Sequence, residues 1–485
     1  MPASNTTRRK SAPGHIARRW LYLTHRWIGI ASCLLFAMWF ASGLVMIYVP
    51  YPSLAQAERV ARLDPIAWPA VTAPVPDAAG ARTIALEMRD HRPIWRVAPW
   101  EGAERRVPAD DGPPLAPADA ALARRVAARF GGAPVARVEA IVRDQWTVAQ
   151  RFDRHRPLWK ATLRDAGGTE LYVSSATGDV VQDTRRGERF WNWLGSVPHW
   201  IYPTVLRQDG GLWRQVVLWV AGPCIAAAVT GLWIGILRVR LGRRRFKGGR
   251  MTPYRGWMLW HHVAGLAGGV FLVAWIFSGW LSVDPGRVFH SEGLSVAGER
   301  SYAGALVVPP DFARDLPRLA AGAVRVELAA VAGGRPLLRV IRADGGERLI
   351  DPRTRRPPTL SRADIVSAAV RLLPGAPVAR VERLSAPDAY WYGIDAPPRL
   401  PVLRLRLRDA AATWVHLDPV SGEVLGSIDT RGRAYRWLFD LLHKWDLNAL
   451  TARRPLWDIW LWVLSLLGVA IAISGVRIGW KRLRA

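Results

Sequence analysis

The residues best suited to chemistry in this chain are its ten histidines, since only two cysteines are present and no HExxH, CxxC or clustered carboxylate accompanies the histidines. Four of them recur in matched surroundings. Laying LTHRWIGIASCLLFAMWFASGL under LWHHVAGLAGGVFLVAWIFSGW without a gap pairs His25 with His261, Gly29 with Gly265, Trp39 with Trp275, Ser42 with Ser278 and Gly43 with Gly279. At a second constant offset His199 meets His443, with Trp193 on Trp437, Trp213 on Trp457, Gly231 on Gly475 and Arg238 on Arg482. A neutral imidazole is a metal ligand, and an ionisable side chain in an apolar helix is costly enough to mark a functional site. The pattern therefore predicts two metal-binding pairs, His25 with His261 and His199 with His443.

The neighbours of these histidines say what kind of metal. Gly43 lies five helical turns from His25 and on the same face, as Gly279 does for His261, and Gly29 and Gly265 lie about 40° away. Small residues on a histidine face leave room for something to approach the backbone, and the large planar group that takes axial imidazoles is haem. The expectation is two b-type haems (haem b). His262 stands next to His261 but about 100° round the helix, so both cannot face one partner; the repeat favours His261 and leaves His262 as the alternative. The bland reading of each feature is helix packing by glycine and interfacial anchoring by histidine and tryptophan; the joint, repeated pattern argues against it. His15, His91, His155, His290 and His416 lack this context and read as surface or loop residues.

The elements that must position these groups follow from composition. Half of the 485 residues are hydrophobic, in long uncharged runs, which implies a membrane and its lipid. The net charge of +28 is concentrated on short flanks: six Lys/Arg in residues 1–26, eight from Arg238 to Arg255 and four from Arg477 onward, none with an acid among them. That is the positive-inside pattern, with no nucleic acid required. It places both termini in the cytoplasm.

The predicted order is a cytoplasmic N-terminus with transmembrane helix 1 (1–49), an exposed domain (50–184), an aromatic interfacial segment (185–211), helix 2 (212–237), a basic loop (238–256), helix 3 (257–284), a second exposed domain (285–431), a second interfacial segment (432–455), and helix 4 with a basic tail (456–485). The run from Trp27 to Tyr48 is too long for a signal peptide's apolar core and reads as a retained span. In the first exposed domain, residues 118–130 read as a helix, and RVEAIV, LWKATL and ELYVSS as strands separated by Asp-Ala-Gly-Gly and Ala-Thr-Gly-Asp turns. The fold class is thus an α+β membrane protein: four transmembrane helices from two tandem repeats, each repeat carrying an external domain with a helix on an antiparallel sheet.

HRWIG after a basic start, WHHVAGLAGG with a later Trp-x-x-Ser-Gly, LLHKW before the last span, and the turns SATGDVV and PVSGEVL resemble the PepSY-associated transmembrane helix family. The resemblance extends over nearly the whole chain. It implies a bacterial inner-membrane location, periplasmic PepSY-like domains, haem b held by histidines at positions 25, 199, 261 or 262, and 443, and, by analogy with better understood members, reduction of siderophore-bound Fe(III). The expected function is a dihaem oxidoreductase that passes electrons across the bilayer to a ferric siderophore. Because no dinucleotide fingerprint is present, the electrons must come from a quinol or another donor. Trp191, Trp193, Trp200, Tyr202, Trp437 and Trp445 are candidates for the docking surface. The alternatives are an electron-transfer subunit for a protein partner and a non-enzymatic PepSY anchor or sensor.

Overall fold

The structure, a computed structural model, describes residues 13–394 and 396–485. The described residues divide into a helical unit (13–51, 191–288 and 435–485) and a sheet unit (52–190, 289–394 and 396–434).

Four helices of the first unit are long and apolar enough to cross a membrane: helix 1 (Pro13–Met46), helix 2 (Gly210–Leu237), helix 3 (Trp257–Leu281) and helix 4 (Arg454–Leu483). Helix 1 begins well before the apolar run at Trp27, because the basic stretch to Arg26 contains no Pro or Gly after Pro13 and Gly14 at its start; His25 is thereby inside a helix. Asp209 caps helix 2, its side chain accepting from the backbone N–H of Leu212 at 2.9 Å. Helix 3 ends three residues short of the expected Asp284, at Leu281.

The helices pack in a ring, helix 1 on helices 2 and 4 and helix 3 on the same two. Lipid supplies little drive to bury apolar side chains, so close packing by small residues does the work. A methyl on Gly468 would meet the Phe40 ring at 2.2 Å, one on Gly269 would meet Leu232 at 3.0 Å and one on Gly479 would meet Ile30 at 3.2 Å. The core between them holds Phe36, Phe40, Cys224, Ala228, Ala264, Leu272, Ile276, Ile471 and Ala472.

The sheet unit has three antiparallel sheets. One four-stranded sheet runs β4 (Val135–Ile141), β5 (Leu158–Leu163), β6 (Glu170–Ser174), β7 (Val180–Thr184), covered by the helix Ala120–Gly131; the other runs β11 (Val378–Leu384), β12 (Val402–Leu407), β13 (Trp414–Leu417), β14 (Val424–Ile428), covered by Arg362–Ala369. Each helix buries an alanine-rich face, Ala123 and Ala127 in the first and Ala368 and Ala369 in the second, against the sheet. Gly178 and Gly422 take left-handed φ of 71° and 73° in the turns before β7 and β14, which is why those turns contain glycine. Helix-on-sheet packing and the first lobe's strands agree with the sequence reading to within two residues.

The third sheet was not foreseen. It has six strands in the order β10 (Glu347–Ile350), β9 (Arg335–Arg342), β8 (Ala323–Val331), β1 (Ala81–Arg89), β2 (Arg92–Pro99), β3 (Arg105–Pro108), and the pairing of β1 with β8 joins the two halves of the chain. At that seam Glu87, fully buried, meets Arg59 at 2.9 Å, Arg96 at 2.7 Å and also Arg325. Burial alone would raise its pKa, but the three guanidinium groups hold it well below the usual carboxylate range. His416 also departs from expectation: it is 2% exposed within β13 rather than at the surface. Arg404 Nε donates to its Nε2 at 2.8 Å and Trp391 stacks on it at 4.5 Å. His15, His91 and His290 are exposed, His15 on helix 1, and His155 is half-buried.

Candidate functional site

The structure brings the two predicted histidine pairs together. The ring centres of His25 and His261 are 6.1 Å apart, and those of His199 and His443 are also 6.1 Å apart. The planes are inclined by 36° in the first pair and 73° in the second. Two collinear metal–nitrogen bonds of about 2.0–2.1 Å, with about 1.1 Å from each nitrogen to its ring centre, separate two imidazole centres by about 6.3 Å. Both pairs match that spacing.

Each ring is held by its Nδ1. His25 Nδ1 lies 2.9 Å from the Ala227 carbonyl on helix 2, and His261 Nδ1 lies 3.1 Å from the Ile471 carbonyl on helix 4 and 3.0 Å from Ser474 Oγ. His199 Nδ1 lies 3.1 Å from both the Trp39 carbonyl and Ser42 Oγ on helix 1, and His443 Nδ1 lies 3.0 Å from Ser278 Oγ on helix 3. Return bonds run the other way: Trp39 Nε1 donates to the His199 carbonyl at 3.0 Å and Trp275 Nε1 to the His443 carbonyl at 2.8 Å. A carbonyl can only accept, so in His25, His199 and His261 the proton sits on Nδ1 and the Nε2 lone pair is left for a metal. His443 has the same ring geometry with the Ser278 hydroxyl as its partner.

The outer histidines sit on short segments, Ser196–His199 and Leu442–Lys444, outside the four spans. Burial lowers the His199 pKa to about 4; burial, and then the charges of His199 and Lys444, lower that of His443 to about 3. Both are neutral near pH 7, the form that ligates. A buried ion pair, Arg436 with Asp446 at 2.7 Å, ties the segment that bears His443.

Glycines shape both pairs, though differently from the expectation. Gly43 and Gly279 do not face a ligand beside His25 and His261; they lie under the outer histidines, where a methyl would come within 3.3 Å of His199 Cε1 and 3.6 Å of His443 Cε1. Gly231 and Gly475 do the same for the inner pair, and a methyl on Gly231 would lie 2.4 Å from His25 Cε1. Gly29 and Gly265 do face open space. They line a cavity of about 420 Å³ that also takes in His25, His261 and His262, within the usual size range of a small-molecule site. His262 belongs to that cavity but not to the pair: its Nδ1 lies 3.1 Å from Thr252 Oγ1.

Among the described residues no group of three or more His, Cys, Asp or Glu gathers as a metal site. Two imidazoles by themselves would not complete the coordination of a metal, so a metal there would need a chelator, and the open-faced Gly29 and Gly265 leave clearance for a flat one. The residues present therefore fit a haem at the inner pair, and the outer pair offers the same ring spacing. Of the proposed docking aromatics, Trp191, Trp193, Trp200 and Trp437 are exposed, whereas Trp445 packs between Phe271 and Trp460 at 5.5 and 5.6 Å and Tyr202 packs on Tyr51, Trp200 and Trp213. The carbonyl partners Ala227 and Ile471 carry no side-chain signal; they were recoverable only as matched positions on the face of helices 2 and 4 that also carries Gly231 and Gly475.

Four membrane-crossing helices, joined to a large folded sheet region, define a polytopic membrane protein. Residues 22–314, well over half of the chain, match the family described as the PepSY-associated TM region; the chain belongs to that family. The match takes in His25, His199, His261 and His262 and ends before His443. No curated protein matches the chain.

Proposed function

We propose that this is an inner-membrane dihaem oxidoreductase in which His25 and His261 hold one haem b, His199 and His443 hold a second, and electrons from a quinol or another donor reduce the iron of a periplasmic ferric siderophore. The observation that carries the reading is the pair of 6.1 Å imidazole separations, each ring steered by an Nδ1 contact to a neighbouring helix. Bound haem supplies one-electron redox chemistry with no general acid or base. The chain's part is to hold four neutral imidazoles, to keep their lone pairs inward, and to exclude water with the helix ring.

His25 and Ser42, the latter in contact with His199, are separated by 17 residues of one helix, about 25 Å of rise. That matches most of a hydrocarbon core about 30 Å thick, so the pairs suit the two faces of one bilayer. The basic flanks favour cytoplasmic termini and periplasmic sheets. In this reading the chain is a tandem duplication and its two helix-covered four-stranded sheets are PepSY-like domains, supported by the matched contacts of Trp39 with Trp275 and of Gly43 with Gly279. Reduction releases the metal because hard oxygen chelators hold Fe(II) far less firmly than Fe(III).

The test is an absorption spectrum of the purified, detergent-solubilised protein. A Soret band with α and β bands on reduction, and two haems per chain, is expected; a colourless protein sinks the reading. Reoxidation of the reduced protein by ferric siderophores is expected within a mixing experiment, and an inert response would remove the substrate while leaving the haems.

A further inference from the structure

The inner cavity has two chemically different ends. Its lining follows helix 1 from Tyr22 to Phe36, a distance of about 21 Å. Phe36, Leu272 and Ala228 close one end. Arg26, Arg482, Tyr254 and His262 stand at the other, and among the described residues neither arginine has an acidic partner.

His262 is the second, independent observation. It is 7% exposed, lines the cavity, and its Nε2 has no hydrogen-bond partner. Its Nδ1 faces the Thr252 hydroxyl at 3.1 Å, and that oxygen already accepts the Tyr254 backbone N–H at 3.4 Å. A hydroxyl, unlike a carbonyl, can give its proton to Nδ1, and doing so leaves the ring proton on Nε2. Adjacent His261, whose Nδ1 faces a carbonyl, keeps its proton on Nδ1. The doublet can therefore present a lone pair from His261 and an N–H from His262.

We propose that Arg26, Arg482 and the Nε2–H of His262 form a carboxylate-binding subsite for the anionic edge of the planar ligand held between His25 and His261. The inference rests on the haem reading, since haem carries two carboxylate side chains on one edge and is otherwise apolar. Arginine suits the task because its planar fork matches a carboxylate, and the apolar end of the cavity takes the opposite edge. His262 is a positioning residue, not a metal ligand. Arg26 occupies the place in the first half that His262 occupies in the second, so both halves send a donor to the same edge.

The test compares haem with haem dimethyl ester, in which both carboxylates are blocked, in full-length protein carrying His199→Ala so that only the inner pair binds. Transfer of the porphyrin to apomyoglobin gives the dissociation rate, and the spectrum reports bis-imidazole ligation. The ester is expected to leave at least tenfold faster than haem. With Arg26→Gln and Arg482→Gln together the ratio should fall below about twofold with the bis-imidazole spectrum kept. His262→Ala should narrow the ratio in part, and His262→Gln, which keeps an N–H donor, should restore it. Equal rates for ester and haem in the parent, with bis-imidazole ligation intact, would overturn the subsite alone and assign the arginines to lipid headgroups. Failure of the parent to bind either porphyrin would overturn the haem reading as well.

Discussion

The inner and outer histidine pairs share a ring separation and a steering contact at Nδ1 but are built from different parts. Both inner imidazoles ride on long membrane helices, and their Nδ1 atoms meet carbonyls of helices 2 and 4 beside Gly231 and Gly475. Both outer imidazoles ride on short segments after the sheets and lean on Gly43 and Gly279 of helices 1 and 3. The same ring spacing is thus reached once from within long helices and once from short helical segments pinned to them by tryptophan. What is held constant, a 6.1 Å ring separation with each Nδ1 engaged by a neighbouring helix, leaves Nε2 without that partner; what varies is the scaffold. An ordinary helix-packing histidine has no need of such constancy.

The comparison breaks most visibly if the pairs are not equivalent. His261→Ala and His443→Ala should each remove one of two haems per chain, measured by pyridine haemochromogen content, and His262→Ala should remove none. A variant of either pair that keeps both haems would end the symmetry. A smaller effect separates the scaffolds: Gly231→Ala forces a methyl to 2.4 Å from His25 and should roughly halve inner haem content, whereas Gly43→Ala, at 3.3 Å from His199, should leave outer haem nearly complete. Occupancy is read from the spectra of the corresponding single-site proteins.

A third prediction concerns the matched sheets. Tyr172 in β6 and His416 in β13 occupy corresponding places; Tyr172 donates to Asp144 at 2.7 Å, while His416 accepts from Arg404, which forks onto Asp388 at 2.5 and 2.9 Å. Burial, and then the charge of Arg404, lower the His416 pKa to about 4. The unfolded chain therefore takes up a proton near pH 6.5 that the folded one refuses until about pH 4, and stability falls as pH falls between those values. His155, with its pKa lowered to about 4 by burial and then by Arg154, acts in the same direction. Chemical denaturation followed by fluorescence should show that slope, and His416→Tyr should reduce it; an unchanged slope excludes His416 as its source. The smallest effect is expected from Trp275→Phe, which removes the donor to the His443 carbonyl at 2.8 Å. It should cost about 1 kcal/mol and speed loss of the outer haem only, as Trp39→Phe should through His199.

Much of this arrangement was legible in the chain by itself. Long uncharged runs with basic flanks dictate four spans, because no other structure satisfies backbone groups in lipid. Repeated His, Gly, Trp and Ser at fixed offsets foretell which imidazoles meet, and glycine turns with alternating apolar residues mark the first lobe's strands. Tertiary structure alone decided the rest. It turned Gly43 and Gly279 from a cofactor face into seats for His199 and His443, since a glycine's clearance serves whatever neighbour arrives. It separated His261 from His262 by the partner of Nδ1, a carbonyl for one and a hydroxyl for the other. It joined the two halves through β1 and β8 around Glu87, because pairing between strands more than two hundred residues apart leaves no local periodicity to read. Local chemistry specifies which groups are available; only the packed fold specifies which lone pair, proton or open face each of them presents.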